Sequence, residues 1–179
     1  MILLRYDINH NRIMNIIKPQ PLDPQLQYKV FVHNLNRIYF AKTYLDKKMP
    51  HLIDMASFKG LKLGMREFWE DVKKQIARID MIFKIINELP SDKNCNPLKA
   101  IVKDEFCLDQ KHELAILNDM DLIMYMQMLE HINIACYSLL KTVAHHLSYD
   151  HIEQLLKECF DECVDNDELF VLIAKEYVQ

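Results

Sequence analysis

Residues Leu122–Leu147 read LIMYMQMLEHINIACYSLLKTVAHHL, a run free of proline and glycine. At helical spacing Leu122, Met126, Leu129, Cys136, Leu140, Val143 and Leu147 share one face, the pattern of a helix laid along a core. Asn133 interrupts the middle of that stripe, and Glu130 stands three residues earlier on the same side. A buried amide or carboxylate costs free energy unless it is paired. The interruption therefore predicts a polar partner on a neighbouring helix.

The surrounding composition favours helix. Half of the 179 residues are hydrophobic and 27% are charged, as in one globular domain able to bury a sizeable core. Gly60 and Gly64 are the only glycines, which leaves little turn chemistry for a sheet, and ten methionines favour helix. A formal net charge of −4 gives no general reason to expect nucleic acid or an anionic membrane as partner. The cysteines (Cys95, Cys107, Cys136, Cys159 and Cys163) are odd in number and form no CxxC pair, so reduced thiols are expected and a structural zinc is not. The N-terminus lacks a signal-peptide pattern, and no apolar run reaches about eighteen residues. These features predict a soluble, cytoplasmic protein.

In chain order, residues 1–22 read as an extended leader ending in Lys18-Pro19-Gln20-Pro21, with Met14 an alternative start to Met1. Residues 23–179 read as a single helical domain. Asp23-Pro24 is an N-cap followed by proline at the first helical position. The first helix runs to about Met49 with Tyr28, Phe31, Leu35, Ile38, Leu45 and Met49 on one face and Lys42 near its centre. Pro50 is expected to kink or stop it, with His51–Ala56 continuing beyond the bend. Ser57 caps a second helix, Phe58–Leu89, whose face holds Leu61, Met65, Phe68, Val72, Ile79, Ile82 and Ile86, with Asp71 and Gln75 at its edge. A short helix spans about Asn96–Leu114, and Asp119 leads into the third long helix. Asp150 with Glu153 is a capping-box variant opening the fourth, His151–Tyr177, where Glu162, Cys163 and Asn166 interrupt the stripe. Four long amphipathic helices with a short extra helix in the crossover between the second and third predict an all-α four-helix bundle. The crossover is long enough to traverse it, giving a ferritin-like up-down-down-up connection.

Each long helix thus breaks its stripe at mid-length: Lys42, Asp71 with Gln75, Glu130 with Asn133, and Glu162 with Cys163 and Asn166. Di-iron and di-manganese carboxylate bundles place their ligands at such a level. Single polar residues on a stripe also arise by pointing to solvent at its edge. The segment Gln127-Met-Leu-Glu130-His131-Ile-Asn133-Ile-Ala135-Cys-Tyr137 resembles the Q-x-x-E-H-Y-E-I-A-x-Y signature of the YciF-type ferritin-like family, bacterial stress-associated proteins of unassigned function. The likeness spans about Val30–Val178. Phe31-Val-His-Asn-Leu with Tyr39-Phe-Ala41 resembles its opening helix, and Trp69-Glu70-Asp71 with Gln75-Ile-Ala-Arg78-Ile its second. Cys95 with Leu98 and Ile101 resembles the crossover, and Leu155-Leu-Lys157-Glu158, Asp161-Glu162 and Asp167-Glu168 the last helix.

The resemblance implies a ferritin-like bundle and an ancestral di-metal site, from which this chain departs. Where the family reads A-E-x-Q-L, the chain has Ala41-Lys42-Thr43-Tyr44-Leu45, a base for an acid. E-E-T-x-x-H or Q becomes Glu70-Asp71-Val72-Lys73-Lys74-Gln75, without an imidazole. E-H-Y-E becomes Glu130-His131-Ile132-Asn133, and D-E-E becomes Asp161-Glu162-Cys163. Glu130, Glu162 and Asp167 survive. A lysine ammonium about 4 Å from a cation adds about 4 kcal/mol of repulsion per unit charge at an effective dielectric of about 20. Lys42 can instead take the place of the metal charge, bridging Asp71, Glu130 or Glu162.

The expectation is a metal-free vestigial centre at Lys42, Glu70, Asp71, Gln75, Glu130, Asn133, Glu162, Cys163 and Asp167, with no catalytic residues. The protein is read as a non-enzymatic, stress-related bundle that forms a homodimer. Two alternatives stand beside it: a functional bundle holding two Fe or Mn ions and acting on oxygen, peroxide or iron, and a bundle that binds a protein partner. His145-His146 is expected to complement a helix C-terminus. His131 should face outward, and Cys159 and Cys163 should pack in the core.

Overall fold

A computed structural model describes residues 22–93, 96–104, 108 and 112–179, without the side chains of residues 96 and 97. The expected leader up to residue 21, the alternative start Met14, Cys95 and Cys107 lie outside the described residues. Those residues form five α-helices and no strand: α1 Pro24–Met55, α2 Lys59–Ile85, α3 Asn96–Asp104, α4 Ala115–His146 and α5 Asp150–Val178. The all-α class is as the sequence predicts. The four long helices pack in a ring, α1 on α2, α2 on α5, α5 on α4 and α4 on α1, with α3 laid against α1.

Several boundaries differ from the expected ones, for local reasons. Asp23 caps α1 as predicted, accepting from Leu26 N at 2.9 Å. Pro50 does not end this helix. It removes one backbone donor, but the burial of Leu52 and Ile53 beyond it holds the chain helical to Met55. Helix α2 stops at Ile85, ahead of Pro90, because Asn87 turns to φ 54° and Glu88 N donates back to Phe83 O at 3.0 Å. Helix α3 is shorter than expected: Leu108 and His112–Leu114 are not helical. Helix α4 begins four residues ahead of the predicted Asp119. Asp150 is already inside α5, whose flanking Tyr149 makes no side-chain cap, and Glu153 contacts His145 Nδ1 at 3.1 Å rather than closing a capping box.

The ends of the helices meet in two groups. At one end Asp119, near the start of α4, accepts from Ser57 N at 2.7 Å, Ser57 Oγ at 2.6 Å and Phe58 N at 3.0 Å. Tyr177, at the end of α5, donates to the same carboxylate at 2.9 Å. Ser57 therefore does not cap α2 with its own side chain; its hydroxyl donates instead to this carboxylate from a distant helix. At the other end Tyr28 Oη donates to Glu88 at 2.8 Å, and the Phe31 and Tyr149 rings meet edge-on at 6.3 Å. Tyr125, fully buried in α4, donates to Val102 O at 3.0 Å and so fastens α3. Gly64 lets α5 approach closely, since a Cβ there would overlap Ile173 Cδ1.

Apolar residues fill two core clusters. One includes Leu45, Met49, Met65, Phe68, Leu122, Met126 and Phe170; the other includes Phe31, Leu35, Ile79, Ile82, Leu140, Leu156 and Cys159. Between them lies a polar level. An Asp119→Ala variant would strand four donors at the first end. Its urea unfolding curve should show a loss of about 3 kcal/mol or more, against about 1 kcal/mol for Ser57→Ala.

Candidate functional site

The polar level is built from all four long helices at positions where one apolar cluster gives way to the other. Lys42 on α1 is 1% exposed, and Gln75 on α2 and Glu130 on α4 are fully buried. Lys42 Nζ stands 3.9 Å from Glu130 Oε1, an ion pair too long for a direct hydrogen bond. Asn133 Nδ2 donates to the same Oε1 at 3.3 Å. Tyr137 Oη donates to Gln75 Oε1 at 3.4 Å, and the Cys163 thiol donates to that oxygen from 3.9 Å. The ammonium lies 5.9 Å from the Tyr137 ring centre and 6.0 Å from that of Phe68, close enough for weak cation–π attraction.

Burial sets the titration of this level. It pushes the Glu130 carboxyl up, while Lys42, the Cys163 thiol and the Asn133 amide pull it back toward ionisation. Burial also pushes the Cys163 thiol and the Tyr137 phenol well above their ordinary values, and the Cys159 thiol up to about 11. These cysteines are therefore protonated packing groups rather than thiolates poised for chemistry.

The nine positions singled out in the sequence divide three ways. Lys42, Gln75, Glu130, Asn133 and Cys163 meet at the centre, and Lys42 points inward. Asp71, Glu162 and Asp167 lie at its rim and turn away. Asp71 contacts Lys74 Nζ at 2.8 Å and accepts from Asn166 at 3.3 Å. Glu162 accepts from Arg78 Nη1 at 2.9 Å, beside the 2.9 Å Arg78–Glu158 bond. Asp167 accepts from Gln127 at 3.4 Å and lies 3.6 Å from His131, which is exposed. Glu70 is not part of the centre. It stands in solvent 2.8 Å from Lys73. Of the three carboxylates offered to Lys42 by the sequence, the structure places Glu130 alone against it.

Tyr137 is the central residue that the stripe omitted, although it lies four residues after Asn133 and its spacing could have found it. Arg78 was also missed as the partner that draws Glu162 outward. Among the described residues, no group of three or more His, Cys, Asp or Glu side chains could hold a metal ion. The centre itself supplies one carboxylate, two amides, a thiol, a phenol and an ammonium, a donor set that does not fit a pair of divalent cations. No described helix is long and apolar enough to cross a membrane.

The fold and this site define an all-helical domain with a polar centre shared by its long helices. The chain belongs to the YciF-type family described as "Domain of unknown function (DUF892)", which it matches over residues 27–179. It is 28% identical to Protein YciF of Escherichia coli (strain K12) over 134 residues, 74% of this chain and 81% of that protein. The crystal structure of the E. coli stress protein YciF superposes with a TM-score of 0.78 at 27% identity, covering 85% of this chain and 96% of that one. YcfI from Rhodopseudomonas palustris superposes with a TM-score of 0.73 at 27% identity, covering 80% and 92%.

The Glu130 carboxyl titrates above its ordinary value, so the stability that it contributes is complete below its unfolded pKa and is lost as pH rises through the folded one. Removing Lys42 takes away the charge that holds this carboxyl down. Lys42→Met should therefore approach the parent's stability under acidic conditions and fall about 3–5 kcal/mol behind it near neutrality. A Lys42→Met/Glu130→Leu double variant should recover most of that loss. Urea unfolding from acidic to neutral pH reads all three, and a pH-independent deficit in the single variant would show that Glu130 does not sense Lys42.

Proposed function

We propose that this chain is a ferritin-like bundle whose di-metal centre has been replaced by an internal ion pair and amide network. Its role is then structural or associative, not catalytic. The carrying observation is Lys42 buried 3.9 Å from Glu130, the one carboxylate of the closed centre. The ammonium supplies the positive charge that metal ions would bring, and Asn133 and Cys163 offer no negative charge to balance more. The meeting of helix ends at Asp119 and around Tyr149 supports an up-down-down-up connection, with α3 in the long crossover.

The relatives' descriptions support the same direction. One is called a stress protein, and the other is given a provisional description as a structural protein. On this reading residues 23–179 act as one domain, in the cytoplasm, as a homodimer that binds neither nucleic acid nor membrane. A dimer buries an outer helix face, and exposed Leu63 and Met81 on α2 provide apolar surface for it.

Reconstitution with ferrous iron or manganese tests the centre. The parent should retain no stoichiometric metal, whereas a Lys42→Glu/Asn133→Glu/Cys163→Glu variant should take up about two ions per chain on the surviving scaffold. Stoichiometric metal in the parent would overturn the reading in favour of a di-metal protein acting on oxygen, peroxide or iron. Light scattering on the eluting protein should give twice the 21.4 kDa chain mass, and a monomer would overturn the homodimer.

A further inference from the structure

Three side-chain atoms at the polar level are buried without a hydrogen bond: Lys42 Nζ, Gln75 Nε2 and Glu130 Oε2. They come from α1, α2 and α4; Lys42 and Glu130 are paired, and Gln75 is held by Tyr137 and Cys163. Glu130 Oε1 faces Lys42 and accepts from Asn133. Cys163, which influences the Glu130 carboxyl, donates to Gln75 Oε1, where Tyr137 also donates. The unpaired remainder is thus two donor groups and one acceptor on three helices that meet at this level, with the Lys42 ammonium beside the Phe68 and Tyr137 rings.

Native proteins rarely leave such groups bare, since burial removes them from bulk water and the polar contacts it supplied. The ligand that answers both donors and an acceptor must itself accept and donate. A cation would be repelled by Lys42, and an anion would meet the Glu130 oxygen. A buried water typically makes about three hydrogen bonds to groups of this kind. We infer that the centre of the bundle binds one ordered water molecule, which accepts from Lys42 Nζ and Gln75 Nε2 and donates to Glu130 Oε2. This inference rests on the metal-free reading of the same centre. It converts the long Lys42–Glu130 ion pair into a bridged contact and completes the hydrogen bonding across α1, α2 and α4.

A high-resolution crystal structure of the full chain, grown with bromide, and a rotating-frame Overhauser spectrum in solution test it together. Expected are a density peak about 3 Å from all three atoms with no anomalous signal, and a dipolar cross-peak from the Gln75 side-chain amide protons to water. The cross-peak should vanish in the Lys42→Met/Glu130→Leu variant, and its persistence there would overturn the assignment. A dry centre with Lys42 Nζ bonded directly to Glu130 would also overturn it, as would an anomalous bromide peak. A transition-metal signal would overturn the metal-free reading as well, which separates the two failures. The parent crystal and its spectrum decide by themselves if the double variant does not fold.

Discussion

The burial of Lys42 with Glu130 constrains the rest of the molecule. A lone ammonium or carboxylate inside a helical core would cost several kcal/mol or more, so neither residue is tolerated there without the other. Their meeting requires α1 and α4 to be neighbours at one register. Asn133, Gln75, Tyr137 and Cys163 then extend the same level across α2 and α5. This level separates two apolar clusters, each drawing buried residues from all four long helices. Apolar burial supplies most of the driving force, but it is indifferent to a sliding helix. The polar level is not, because a shift of one turn would strand a charge.

A second constraint works at the end of the bundle where Asp119 receives four hydrogen bonds. Ser57 and Phe58 lie in the turn from α1 to α2, and Tyr177 lies near the end of α5. One carboxylate thus holds the turn that leads into α2 and joins segments far apart in sequence. Around the polar centre two rim acids are drawn outward by bases, Glu162 by Arg78 and Asp71 by Lys74. Each carboxylate held in this way is one fewer available to a cation inside. The chain matches its family over residues 27–179, and at its centre Lys42, Asn133 and Cys163 supply one positive charge and no carboxylate beside Glu130.

The residues by themselves determined that the chain would be helical and, to within a residue, which faces would be covered: in α4 Tyr137 and Ala144 are buried, whereas Cys136, Val143 and Leu147 of the expected stripe are only half-buried. Phe31, Leu35, Ile38, Leu45 and Met49 recur at helical spacing, and all are buried, because periodicity is a local property that survives any arrangement of neighbours. The same regularity exposed the polar breaks at Lys42, Gln75, Glu130 and Asn133. Spacing could not say how far each side chain would reach inward. Asp71, Glu162 and Asp167 sit near the stripes, yet each can rotate to a base or amide that only packing brings near. The competing partner, Arg78 for Glu162 or Asn166 for Asp71, decides their direction. Two helix boundaries were likewise settled by tertiary contacts. Asp119 caps a turn more than sixty residues away in sequence, and the buried Leu52 and Ile53 carry α1 past Pro50. Sequence thus determined the helices and the residue types of their central level, while tertiary structure chose which charges would be enclosed, because an ion pair exists only between groups that the fold has brought together.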